Sequence, residues 1–151
     1  MANTFVQIYS HIIFHIKSTS PQMNEYDLPR IFAYIGGILK ELASIPIIVG
    51  GISDHIHLLV SLSKNMALSE LMRITKAKSS KWIKQISPTY ATFAWQDGYG
   101  AFSVSQSNLE KTTIYINNQA RHHQKMSFAD EYKALLKAYR ITYDEQYLFN
   151  D

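Results

Sequence analysis

At 151 residues, 46% hydrophobic and 18% charged, the chain has the size and composition of one globular domain with a sizeable core, and its net charge of only +3 is a weak argument for a polyanionic partner. The absence of cysteine excludes a disulfide framework and any thiolate metal site, and is compatible with a reducing cytoplasm. No apolar run reaches membrane-spanning length and Met1-Ala2-Asn3-Thr4-Phe5 lacks the features of a signal peptide, so a cytoplasmic protein with no membrane partner is expected.

No repeat, low-complexity tract or linker divides residues 1–151, which read as a single domain. From Phe5 to Lys17, Val6, Ile8, Ile12, Phe14 and Ile16 alternate with Gln7, Tyr9, His11 and His15, the pattern of a half-buried strand. After a loop from Pro21 to Asp27, a helix is predicted from about Pro29 to about Ser44, with Leu28, Ile31, Phe32, Ile35, Ile38, Leu39 and Leu42 at helical spacing. Pro46–Ile52 and His55–Leu62 read as two strands, with Gly50-Gly51 and Ser53-Asp54 supplying turn chemistry between them. Ala67 to Ile86 reads as a second helix whose apolar stripe (Leu68, Leu71, Met72, Thr75, Trp82, Ile83, Ile86) lies opposite Arg73, Lys76, Lys81 and Lys84. A fourth strand is expected at Ala101–Ser105. Ser107 with Glu110 matches a capping box for a helix running to about Ala120, and Ser127 with Asp130 caps a last helix to about Tyr139. The order βαββαβ followed by further helices predicts a ferredoxin-like α/β (α+β) domain, an antiparallel sheet with two helices on one face and the other face left for different elements. In the third strand Ile56, Leu58 and Val60 take the core parity, so His55 and His57 point away from the two packed helices.

His55 and His57 flank one hydrophobe in a strand and lie about 7 Å apart on one face, close enough to hold one divalent metal. A lone His-x-His is a weak signal, more often a pair of surface or hydrogen-bonded histidines. Two imidazoles are too few for a structural zinc but leave positions open for substrate oxygens. Tyr115 and Gln119 lie ~40° apart on one face of the later helix, beside the docking stripe of Leu109, Ile116 and Ala120. A packing tyrosine is the plain alternative in a chain with ten of them. A metal beside a phenol is equipment for attack on a phosphodiester. Lys64 to Lys84 holds six Lys/Arg against the single acid Glu70, an excess larger than the net +3 of the whole chain. With few acids interleaved, Arg73, Lys76, Lys78, Lys81 and Lys84 are expected to contact a nucleic-acid backbone rather than merely to solvate a surface. His11 and His15 on the first strand could approach the metal site but are read as satisfied or exposed, and His122 and His123 receive no catalytic role. Trp95 and Tyr99 either stack on bases or pack locally.

Asp54-His55-Ile56-His57-Leu58-Leu59-Val60, then Tyr115-Ile116-Asn117-Asn118-Gln119 and His122-His123, and the ending Tyr143-Asp144-Glu145-Gln146-Tyr147, resemble the single-tyrosine HUH transposases of small bacterial insertion sequences. The resemblance spans nearly the whole chain. It implies that His55, His57 and Gln119 hold Mg²⁺ or Mn²⁺, whose preference for oxygen and imidazole suits that set. It implies that Tyr115 attacks single-stranded DNA at the hairpin ends of a mobile element, forming a 5′-phosphotyrosine and releasing a 3′-OH. It also implies a homodimer, with Tyr115 acting in its own or its partner's site. Two other readings stay open: a metal-dependent nuclease or phosphodiesterase using water, and a non-catalytic nucleic-acid-binding module.

Overall fold

The computed structural model describes residues 3–149. Four strands, β1 (Tyr9–His15), β2 (Ile45–Ile52), β3 (His55–Ser61) and β4 (Gly100–Val104), form one antiparallel sheet in the order β2-β3-β1-β4. Helices α1 (Leu28–Glu41) and α2 (Leu68–Ile86) connect β1 to β2 and β3 to β4. This is the expected ferredoxin-like arrangement. After β4 come α3 (Leu109–Asn117), α4 (Gln119–His122), α5 (Phe128–Ala138) and α6 (Glu145–Leu148). Among the described residues no helix is long and apolar enough to cross a membrane.

Side chains alternate across the sheet, so each face has its own core. Ile12, Phe14, Ile56, Leu58 and Val60 meet Ile31, Ile35 and Leu39 of α1 and Leu71, Met72 and Ile83 of α2. Each fully buried side chain of this kind contributes roughly 1.5–3 kcal/mol of transfer free energy, offset by ordering entropy. On the other face lie His11, Ile13 and His15 of β1, paired across the ladder with Leu59, His57 and His55 of β3. A second core of Ile13, Phe102, Phe128, Tyr132 and Leu136 covers this face.

Four local expectations change. The first strand is buried on both faces rather than half-buried, because the C-terminal helices close over the histidine side. It begins at Tyr9, so Val6 and Ile8 precede it and are 44% and 56% exposed. Ser107 lies inside a 3₁₀ turn, Gln106–Asn108, with its hydroxyl 3.0 Å from Ser105 Oγ, and α3 starts at Leu109 without a side-chain cap. The tyrosine helix is also interrupted at Asn118, within an Asn-Asn pair of low helix propensity, and resumes as α4. The second cap forms as read: Ser127 Oγ accepts from the Asp130 amide at 3.2 Å.

Candidate active site

A two-residue turn, Ser53-Asp54, joins β2 to β3 and sets a carboxylate immediately before the first histidine. Asp54 Oδ1 lies 2.7 Å from His55 Nδ1. With the proton on Nδ1, this bond leaves His55 Nε2 free to act as a ligand. His57 projects from the same face, and its Nδ1 lies 2.7 Å from His11 Nε2, the two rings stacked at 5.0 Å. Donation from His57 Nδ1 to His11 Nε2 likewise frees His57 Nε2. His11, read from the sequence as satisfied or exposed, thus acts as the partner that orients His57. Both motif histidines are fully buried.

Helix α3 reaches the sheet through Gly50, which stands opposite His57. A Cβ there would lie 2.7 Å from Ile116 Cγ2 and 3.0 Å from the Ile116 carbonyl oxygen. The missing side chain therefore lets Ile116 seat, and Tyr115 then turns toward the histidines. Its ring centroid is 6.0 Å from that of His57 and 6.1 Å from that of His11. Gln119 opens α4 and is buried. Its Oε1 lies 2.9 Å from His55 Nε2 and 3.0 Å from His123 Nε2. Despite the helix interruption, His55, His57, Tyr115 and Gln119 of one chain come together.

They meet around Glu131 of α5, which the sequence reading did not single out. The Tyr115 hydroxyl donates to Glu131 Oε2, and Gln119 Nε2 donates to the same oxygen at 3.0 Å. Glu131 Oε1 lies 3.2 Å from His57 Nε2 and 3.0 Å from His123 Nε2. His123 is part of this network as well. The sequence does carry a signal for Glu131: it falls between Phe128, Tyr132 and Leu135 in the apolar stripe of its helix, where an acid is out of place.

Burial and these partners set the charges. Burial, with His57 nearby, lowers His11 to about 3. Burial also lowers His57 to about 4, against the pull of Glu131. For His55 burial acts downward, but its bonds to Asp54, Glu131 and Gln119 outweigh it and raise the ring to about 9. Burial pushes the Tyr115 phenol up, and its bond to Glu131 adds to the rise. Burial would raise Glu131, yet its contacts with His55, His57 and Tyr115 hold it well below the usual carboxylate range.

Ligand atoms of His55, His57 and Glu131 all lie within 4.8 Å of one another. The separations of 2.9 Å from His55 Nε2 to Gln119 Oε1 and 3.2 Å from His57 Nε2 to Glu131 Oε1 approach the edge of an octahedron. That edge is about 3 Å for bonds of about 2.1 Å. The residues present therefore fit a divalent ion held by imidazole and oxygen. Beside Tyr115 a cavity of about 350 Å³ is lined by His11, Asn108, Lys111, Thr112 and Tyr139, among others.

The basic helix lies elsewhere, since α2 packs on the opposite face of the sheet. Arg73 pairs with Glu70, and Lys78 Nζ lies 3.6 Å from Glu41 Oε2. Lys76 Nζ donates to the carbonyls of Gln96 and Gly98 at 2.6 and 2.8 Å, tying down a loop. Lys81 and Lys84 are exposed. Trp95 packs locally, with its Nε1 donating to Ser79 Oγ at 3.0 Å and its ring edge-on to Phe14 and Phe93, while Tyr99 is 37% exposed.

Residues 4–119 match the family described as "Transposase IS200 like". No curated protein matches the sequence. Among solved structures, a candidate transposase from Deinococcus radiodurans R1 superposes with a TM-score of 0.61 at 15% identity, covering 79% of this chain and 95% of that one. A REP-associated tyrosine transposase bound to a REP hairpin superposes with a TM-score of 0.58 at 12% identity, covering 82% of this chain and 73% of that one. These likenesses agree with the observed fold, and the match over residues 4–119 covers most of the chain: the protein belongs to the IS200-like transposase family and is a DNA transposase.

Proposed function

We propose that this transposase cleaves and rejoins single-stranded DNA by transesterification, with Tyr115 as nucleophile and His55, His57 and Gln119 holding Mg²⁺ or Mn²⁺. The observation that carries the reading is the meeting of Tyr115, His55, His57 and Gln119 around Glu131 in one cluster of one chain. That convergence supports use of Tyr115 within its own subunit. A bound divalent ion supplies Lewis-acid polarisation of the scissile phosphate.

The chain's own residues do the rest. Asp54 and His11 orient the two rings. The raised phenol stays protonated at neutral pH, so the proton must leave as the oxygen attacks, and Glu131 Oε2 already accepts it in a hydrogen bond. Attack of the phenolic oxygen on phosphorus forms the 5′-phosphotyrosine, and the departing 3′ oxygen takes up a proton. Exchange of one phosphodiester for another needs no nucleotide cofactor. The cavity lined by Lys111, Asn108 and Thr112, one to two helical turns before Tyr115, suits the approach of a single strand. On the far face, Lys81 and Lys84, with Lys78 and Arg73, contact further phosphates, whereas Lys76 holds its loop. A homodimer acting in the cytoplasm would present two such sites to paired ends of an element. The likeness to a protein solved with a REP hairpin guides the choice of hairpin substrate.

The test is a denaturing gel. With Mn²⁺ and a hairpin-bearing single strand, the wild type forms a covalent protein–DNA adduct, and Tyr115→Phe forms none while still binding DNA. Cleavage without any adduct would favour a water-using nuclease, and no cleavage across hairpin substrates would favour a binding module.

A further inference from the structure

The match to the family ends at residue 119, and Glu131 lies beyond it. Its side chain is nevertheless 1% exposed at the centre of the cluster. Its two oxygens face different ways. Oε1 is 3.2 Å from His57 Nε2, 3.5 Å from His55 Nε2 and 3.0 Å from His123 Nε2. Oε2 accepts from the Tyr115 hydroxyl and from Gln119 Nε2. A carboxylate taken wholly out of water requires compensation by charge as well as by hydrogen bonds. Hard divalent cations prefer carboxylate oxygen to carboxamide oxygen. Gln119 is itself committed, its Oε1 shared between His55 and His123 and its Nε2 given to Glu131.

We propose that Glu131 is an anionic ligand of the active-site cation through Oε1, and that Oε2 holds the Tyr115 hydroxyl in register with that cation. One carboxylate from α5 then links metal and nucleophile, so the C-terminal helix is part of the active site rather than a cover for the sheet. Ligation by Glu131 leaves the ion with one positive charge fewer than an all-neutral set of ligands would. The inference rests on the metal-site reading above but is separable from it.

Mn²⁺ is titrated into the full-length protein without DNA, and free Mn²⁺ is followed by electron paramagnetic resonance. Glu131→Gln is expected to weaken Mn²⁺ binding by about 10-fold or more, and by more than Gln119→Ala does. His57→Ala is the control. If His57→Ala weakens binding and a folded Glu131→Gln does not, the Glu131 assignment is overturned while the metal site stands. If the wild type binds no Mn²⁺, both readings fall. A second measurement leaves the sequence untouched: crystals of the wild type soaked in Mn²⁺ and phased on its anomalous signal. The expected result is a peak within about 2.3 Å of a Glu131 oxygen, the other oxygen still bonded to Tyr115. A peak bound by His55, His57 and Gln119 with Glu131 beyond reach would overturn the proposal.

Discussion

His57 shows how much of the site is set one side chain at a time. Its ring works as a ligand only with the proton on Nδ1, and that depends on His11, 2.7 Å away. His57→Ala should lower metal-dependent cleavage on the order of 100-fold or more, whereas His11→Ala should lower Mn²⁺ affinity about 10- to 100-fold, the usual weight of an orienting partner. Cleavage gels and Mn²⁺ titration check the two. The same rings govern acid stability. His11 and His57 are neutral when folded, at about 3 and about 4, against 6.5 unfolded. Their contribution is complete above 6.5 and is lost as pH falls toward those values, each ring with a slope of up to about 1.4 kcal/mol per pH unit. His55 runs the other way: raised to about 9, it contributes fully below 6.5 and loses that contribution as pH rises through 9. Metal-free protein should therefore be most stable near pH 6.5, declining on both sides in urea melts. A stability flat from pH 4 to 9 would contradict this. The His55–His57 pair and the Tyr115–Gln119 pair were legible from spacing because their partners are two and four residues apart. Glu131 and His11 were not, since they join the cluster only through packing of distant segments, 74 and 46 residues from His57.

Elements matter because α3 must sit close to the sheet for Tyr115 to reach the cluster. Gly50 allows that approach on one side of the histidines, and Gly100 does the same for Tyr132 of α5, where a Cβ would lie 2.8 Å from the ring. Gly50→Ala should push α3 outward, destabilise the fold by about 1–3 kcal/mol and depress cleavage more than DNA binding. Thermal melts beside binding and cleavage assays separate the two effects. Equal losses of binding and cleavage would show that α3 placement is not what Gly50 provides. Alternation marks the first strand, turn residues bound the second and third, and helical spacing marks both connecting helices, whose apolar stripes must be buried. They did not reveal the break at Asn118 or the failed cap at Ser107. Backbone hydrogen bonds and a local 3₁₀ turn settle those, with little trace in hydrophobicity. Alternation alone makes the first strand half-buried because its second face carries histidines, yet His11 is buried against His57 and His15 is buried among Phe128, Tyr132 and Phe149.

At the scale of the whole molecule, the sheet separates two surfaces. The histidines and Tyr115 lie under α3, α4 and α5, and the cations of α2 lie behind the opposite core. Charge counting along the sequence found the basic helix but not which lysines were already occupied, since the loop carbonyls that take Lys76 are 20 and 22 residues away. Replacing Lys78, Lys81 and Lys84 with alanine should weaken binding and flatten its salt dependence by up to roughly 2 in the slope of log K against log salt. Cleavage of bound DNA should stay intact. An unchanged slope would make the patch mere surface. The central claim remains the identity of the attacking atom, and peptide mapping of the protein–DNA adduct reads it directly. Trypsin should release the DNA on the segment Thr112–Arg121, whose single tyrosine is Tyr115. A linkage mapped to any other tyrosine, or cleaved strands with no linked peptide, would contradict the account.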